Sequence, residues 1–183
     1  STLDRSAAAS DVYKRQVRWP GGGIRGGGTI RVPLSCIDVM PTLAKLTGAG
    51  ASHGLGNKPF DGRDVLDVLQ ARRGRLDREL YFYPGQAGEQ REKNAIRTAQ
   101  WKLVIHGPNI AGGEWRSAKH ERFLFRIDRD PNETTNLLAE HPGVATRLAG
   151  KLIIHRRLQP KVSVDVYGAG RKASTVPKDW IIR

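Results

Sequence analysis

Apolar residues recur along the chain with two different periods, and the change from one to the other divides it. Between residues 35 and 48, SCIDVMPTLAKLTG sets Val39, Leu43 and Leu46 at helical spacing with Met40 beside them. That spacing predicts an amphipathic helix whose apolar face meets a core. Ser35 or Asp38 can cap its start, and Gly48 suits the left-handed position just past its end. Pro41 is acceptable within the first turn, whose amide hydrogens lack intrahelical partners. FDGRDVLDVLQ (60–70) then predicts a turn at Asp61-Gly62 and a short helix carrying Val65, Leu66 and Leu69.

Downstream the period falls to two. ELYFYP (79–84), NAIRT (94–98), WKLVIH (101–106) and RFLFRID (122–128) read as strands. The second and third are joined through Ala99-Gln100 and predict an antiparallel hairpin. In the fourth, alternation puts Phe123, Phe125 and Ile127 on one face and Leu124 and Arg126 on the other. DPNETTN follows as a polar turn, and Pro142 opens a helix to about Leu158 with Val144, Leu148, Leu152 and either Ile154 or His155 on one side. Four antiparallel strands and one apolar-faced helix make a small α+β layer pair. Residues 159–183 lack periodicity and read as a tail.

Near the N-terminus, Val17-Arg18-Trp19 looks like the end of a strand that Pro20 breaks, and PGGGIRGGGTIRVP reads as a connector. Its glycines run into an extended segment rather than a helix, so neither a P-loop nor a dinucleotide fingerprint is satisfied. The stretch before it has a different character. SDVYKRQ (10–16) resembles the translated end of a transposase-based sequencing-library adaptor, and Ala7 to Ala9 is too short an apolar core for a secretory signal. Residues 1–16 are therefore read as a non-native leader, with the native reading frame truncated at Val17.

Composition narrows the chemistry. The 183 residues suffice for an ordinary domain core, and no apolar run reaches the roughly 20 residues of a membrane-spanning helix. The 31 basic and 18 acidic residues give a net charge of +13, which favours polyanionic partners without choosing among them. The basic residues are scattered, and no paired Cys/His spacing, RNP-type aromatic run or basic zipper accompanies them, so nucleic acid is not the expected partner. Cys36 is the only cysteine, which excludes an internal disulfide. It lies at a helix entrance without an evident basic neighbour and is expected to be buried and inert. His53, His106, His120, His141 and His155 show no triad spacing. Asp61, Asp64 and Asp67, and again Asp128, Asp130 and Glu133, lack the further oxygen ligands of a calcium shell and are read as cap and turn residues.

Five segments, VRWPG with its Gly-rich turn, CIDVMPTLAKLTG, FDGRDVLDVLQ, NAIRTAQWKLV and LFRIDRDPNETTNLLAEHP, resemble in that order the carboxy-terminal portion of formylglycine-dependent sulfatases, arylsulfatase-like members of the alkaline-phosphatase-like superfamily. The resemblance covers about residues 17–158. It implies a remnant of the large α/β domain at 17–75, a C-terminal subdomain at 76–158 built as a four-stranded antiparallel sheet packed on a C-terminal helix, and a tail at 159–183.

The resemblance also implies a truncated sulfuric ester hydrolase acting on sulfated saccharides or aryl sulfates. Its nucleophile arises in the family from the Cys or Ser of a C/S-x-P-S/A-R motif beside a calcium ion. Cys36-Ile37-Asp38 does not match that motif, so no catalytic or metal-binding residue is assigned here, and calcium and formylglycine are implied for the parent alone. The missing N-terminal sulfatase domain of the same chain is the implied partner, and a periplasmic or extracellular address the implied location. Arg97, His106 and the 108–120 loop with Trp115 and Arg116 are the candidates for gripping an anionic sugar. The alternatives are a basic polyanion- or nucleic-acid-binding module and a fragment of a related metal-dependent phosphoesterase.

Overall fold

The computed structural model describes residues 16–49, 59–83 and 92–159. Residues 1–15 of the 1–16 leader, His53 and residues 160–183 of the 159–183 tail lie outside them. The chain divides into two compact units, Ser1–Leu76 and Asp77–Arg183.

In the first unit two buried polar residues, Asp38 and Thr42, join a helix to a distant loop. A 3₁₀ turn at Cys36–Asp38 leads into helix α1 (Val39–Leu46), and Asp38 is 1% exposed at their junction. Its carboxylate accepts the backbone N–H of Ser35 at 2.8 Å and that of Arg63 at 3.0 Å. Thr42 donates its hydroxyl to the Asp38 carbonyl at 2.6 Å and accepts the Val65 N–H at 3.0 Å. Four backbone groups that would otherwise be stranded are thereby satisfied, which ties α1 to the 62–65 loop. Gly62 is required in that loop because a Cβ there would lie 1.9 Å from the Ile37 carbonyl oxygen. Val65, Val68 and Leu76 form a small core with Val32 and Leu69, at and around helix α2 (Leu66–Leu69). Upstream, Trp19 and Ile24 bridge across the Pro20–Gly22 turn, and a Cβ on Gly22 would collide with the Trp19 ring.

Two expectations for this unit are overturned. Val39, Met40, Leu43 and Leu46, expected to face a core, are 53%, 60%, 49% and 39% exposed, while α1 buries Pro41 and Thr42 instead. Periodicity locates the apolar stripe, but the Asp38–Thr42 hydrogen bonds decide which side faces the 62–65 loop. Cys36, expected to be buried, is exposed, because its 3₁₀ turn buries only Asp38. The left-handed Gly48 (φ 71°) past the helix end and the first-turn position of Pro41 are as expected.

The second unit is a four-stranded antiparallel sheet in the order β1 (Leu80–Phe82), β2 (Glu92–Arg97), β3 (Lys102–Gly107), β4 (Glu121–Phe125), followed by helix α3 (Pro142–Leu158). One sheet face carries Ile96, Leu103, Ile105 and Leu124, none of them exposed, and α3 covers it with Ala145, Leu148, Ala149 and Leu152. The small residues at 145 and 149 let the helix approach the sheet closely. The β2–β3 turn closes with the Thr98 N–H on the Trp101 carbonyl at 2.8 Å and the Trp101 N–H on the Thr98 hydroxyl at 2.9 Å.

The buried stripe of α3 does not continue through Ile154 or His155, as expected, but through Arg156. Ile154 is 60% exposed, whereas Arg156 is 3% exposed and forks onto Glu92, with Nε to Oε2 at 2.9 Å and Nη2 to Oε1 at 3.0 Å. The guanidinium also lies over the Tyr83 ring at 4.5 Å, and Asn94 donates to the same carboxylate at 3.1 Å.

The fourth strand ends at Phe125, where the chain turns with the Arg126 carbonyl accepting the N–H groups of Arg129 at 3.0 Å and Asp130 at 2.8 Å, and a later segment pairs back onto the strand. Asn136 accepts the Leu124 N–H at 2.9 Å and donates to the Arg122 carbonyl at 3.1 Å, and the Leu137 N–H reaches the Leu124 carbonyl at 2.8 Å. The 130–135 turn is organised by Asp130, whose carboxylate accepts the N–H groups of Thr134 and Thr135 at 2.8 and 2.9 Å and the Thr134 hydroxyl at 3.1 Å.

Replacing Arg156 by Met should cost about 3–5 kcal/mol in urea unfolding, since Glu92 is left buried and uncompensated. Adding Glu92→Met should restore most of that loss. Hydrogen bonds from Thr135 and Thr134 hold the Asp130 carboxyl below its ordinary value of 3.8. Asp130 therefore contributes stability that is fully present above that value and is lost as the pH falls through the lower folded-state value. Acid titration of Asp130→Asn should lack this component.

Candidate functional site

Alternation along the strands puts a second set of side chains on the sheet face away from α3. The register pairs Leu80 with Arg97, Phe82 with Ala95, Arg97 with Lys102 and Val104 with Phe123, so all of these share that face. Phe123 and Phe125 stack at 6.1 Å with their planes 3° apart, as the period-two reading placed them. At one end of this face the segment after β4 folds over and closes a cleft of about 420 Å³. Arg97 and Lys102 come from the β2–β3 hairpin, Phe82 from β1, and Ile127, Pro131 and Glu133 from the covering segment.

The charges in the cleft are unequally engaged. Lys102 donates to both Glu133 oxygens at 2.6 and 2.8 Å, and the two side chains are only a quarter to a third exposed. Glu133 adopts a left-handed backbone (φ 57°), which a non-glycine residue occupies at a cost. The Arg97 Nε is buried and has no hydrogen-bond partner among the described residues.

The three residues singled out from sequence separate in space. His106 shares the outer face with Arg97 but lies near the far end of β3, its Nδ1 3.6 Å from Glu121 and its ring edge-on to Phe123 at 6.1 Å. Arg116 belongs to the helix side, where Nη2 donates to Thr146 at 2.7 Å and the guanidinium lies over Trp115 at 5.0 Å. Its loop is pinned there by Arg157, which donates to the Ala111 carbonyl at 2.9 Å, and by His120, whose ring lies 2.8 Å from the Pro108 carbonyl. His155 stacks on Tyr81 at 3.4 Å and His141 meets Trp101 edge-on at 4.9 Å, so both serve packing. Burial, with the Glu79 charge nearby, pushes the Tyr81 hydroxyl up to about 12, which keeps it neutral. Phe82 and the Lys102–Glu133 pair were not singled out from sequence, although Lys102 and Glu133 stand in the WKL and DP-E segments.

Among the described residues, no three His, Cys, Asp or Glu side chains gather to hold a metal ion. None of their helices is long and apolar enough to cross a membrane.

No family model matches the chain. It is 30% identical to steryl-sulfatase of Mus musculus over 165 residues, 79% of this chain and 26% of the relative, and 30% identical to arylsulfatase A of Homo sapiens over 131 residues, 66% and 25% respectively. The chain thus spans about a quarter of the length of these curated relatives. In fold it is similar to the crystal structure of Ps i-CgsB in complex with k-i-k-neocarrahexaose, with a TM-score of 0.60, 20% identity, and coverage of 84% of this chain and 31% of that one. The chain is thus similar in sequence, over 66–79% of its length, to part of these sulfatases, and in its sheet-and-helix fold to the solved structure; its motifs follow the order of a sulfatase carboxy-terminal portion.

Proposed function

We propose that the parent protein is a sulfuric ester hydrolase acting on sulfated saccharides or aryl sulfates, and that this chain is the flank which supports its catalytic portion and forms one edge of its cleft. The observation that carries this reading is the 30% identity to steryl-sulfatase across 165 residues, in which the motif residues occupy the joints of the fold. Asp38, Thr42 and Gly62 knot the first unit, while Lys102, Glu133, Asp130 and Asn136 shape the second.

Cleavage of a sulfate ester needs a positioned nucleophile, a positive charge on the sulfuryl oxygens and a proton for the leaving group. In the parent, formylglycine would supply the nucleophile and calcium the charge. The described residues fit neither group. Calcium takes roughly six to eight oxygen ligands, no such cluster exists among them, the Asp130 carboxylate is filled by backbone and hydroxyl donors, and Cys36 lacks the maturation motif. We therefore assign both groups to a further, N-terminal portion of the parent.

The exposed stripe on α1 supports the same assignment. Burying it at about 25 cal/mol per Å² of apolar surface gives that portion a reason to dock there, and Val17, Trp19 and Ile37 add further exposed apolar surface in the same unit. Of the candidate substrate contacts, Arg97 is favoured, because Arg116 is engaged with Thr146 and His106 stands beside Glu121.

The 183-residue chain alone should show no turnover of aryl or sugar sulfates, and a longer reading frame containing it should. Turnover by the chain alone, abolished by substitution within residues 17–183, would overturn the assignment. Leu43→Asp should lower activity in the longer protein and change the stability of the isolated chain by less than about 0.5 kcal/mol, since Leu43 is 49% exposed here.

A further inference from the structure

A guanidinium offers five N–H donors and stays charged at any physiological pH, so a half-buried arginine calls for acceptors. Arg97 is half-buried, its Nε reaches no acceptor, and it joins no ion pair among the described residues. Its neighbour Lys102 is already matched, because both Glu133 oxygens take the ammonium at 2.6 and 2.8 Å. Two cations and one carboxylate leave the cleft with a single uncompensated positive charge, located at Arg97.

The walls around that charge are apolar. Ala95, Ile127 and Pro131 line the same cleft, and the Phe82 ring at its edge is 49% exposed. Apolar walls weaken solvent screening and strengthen a charge-assisted hydrogen bond formed inside. The volume of about 420 Å³ falls within the ~300–1,000 Å³ usual for small-molecule sites.

We propose that this cleft binds a single oxyanion carried on a sugar ring, either a sulfate monoester or a carboxylate, with the oxyanion on Arg97 and the ring against Phe82. Glu133 supplies selectivity. By holding the Lys102 ammonium it leaves the cleft one uncompensated positive charge, which a monoanion matches and which leaves the second charge of a dianion such as a phosphate monoester without a partner. The proposal rests on the sulfatase reading only for the choice of sulfate among ring-borne oxyanions.

The test is an NMR titration of the isotope-labelled 183-residue chain with a glucose sulfate monoester, glucuronate, a glucose phosphate monoester and glucose, at about pH 8, where the phosphate ester is a dianion. The sulfate ester should shift signals of Phe82, Ala95 and the Arg97 side chain, while glucose should not. Arg97→Gln should weaken binding about tenfold or more, and Arg97→Lys, which keeps the charge without the fork, should weaken it less. Glu133→Gln should erase the preference for the sulfate over the phosphate ester. Unchanged binding by a folded Arg97→Gln chain, shifts centred on Arg116 and the 108–120 loop, or equal binding of glucose would overturn the proposal. Equal binding of glucuronate and the sulfate ester would support the oxyanion site while detaching it from sulfate, an outcome distinct from inactivity of the longer protein.

Discussion

A charged pair sealed inside a small core sets the geometry of the second unit. Arg156 and Glu92, with side chains 2% and 1% exposed, meet between the last turn of α3 and the first residue of β2. Taking either charge out of water alone costs several kcal/mol, so each must find the other. Ala145, Leu148, Ala149 and Leu152 could slide along the sheet with modest loss of contact, but a guanidinium forked onto one carboxylate cannot. The pair therefore fixes how far along the sheet the helix sits, and with it the place of the 108–120 loop that Arg157 and Arg116 tie to the same helix.

The same economy governs the polar residues of the motif segments. Asp38 and Thr42 satisfy backbone groups of a loop more than twenty positions away, Asn136 completes the edge of β4, and Asp130 gathers three donors in its turn. Side chains that resemble chemistry in sequence, with carboxylates and amides closely spaced, are in these cases occupied by the fold. Arg97 differs, because its Nε stays buried with no acceptor among the described residues. Function is therefore sought on the outer sheet face, where charge is left over, rather than among the conspicuous acidic motifs.

The two units also differ in how completely they bury themselves. The sheet and α3 enclose a contiguous core that includes Trp101 and Trp115, whereas the apolar cluster of the first unit consists, among the described residues, of Val65, Val68 and Leu76 with Val32 and Leu69, and the unit displays Val39, Met40 and Leu43. An apolar stripe held in place by internal hydrogen bonds, yet facing outward, belongs to a surface made for packing. It fits a chain spanning about a quarter of its relatives' length.

The elements of this protein were legible from period and punctuation alone. Alternation in RFLFRID, the short Ala99-Gln100 connection and Pro142 before an apolar repeat identify strands, hairpin and helix, because each is a local property of the chain. What faces what was not. The outward turn of α1, the exposure of Cys36 and the entry of Arg156 into the core depend on partners 25 to 64 positions distant, Arg63 for Asp38 and Glu92 for Arg156, which no local window contains. The leftover charge in the cleft likewise became visible only when Lys102 was seen to spend itself on Glu133, 31 residues away, and leave Arg97 alone. Sequence by itself determined the strands, the helices and the kinship, since these rest on near neighbours and motif order. The tertiary structure decided which charges cancel and which remain, since that balance depends on distances set by folding.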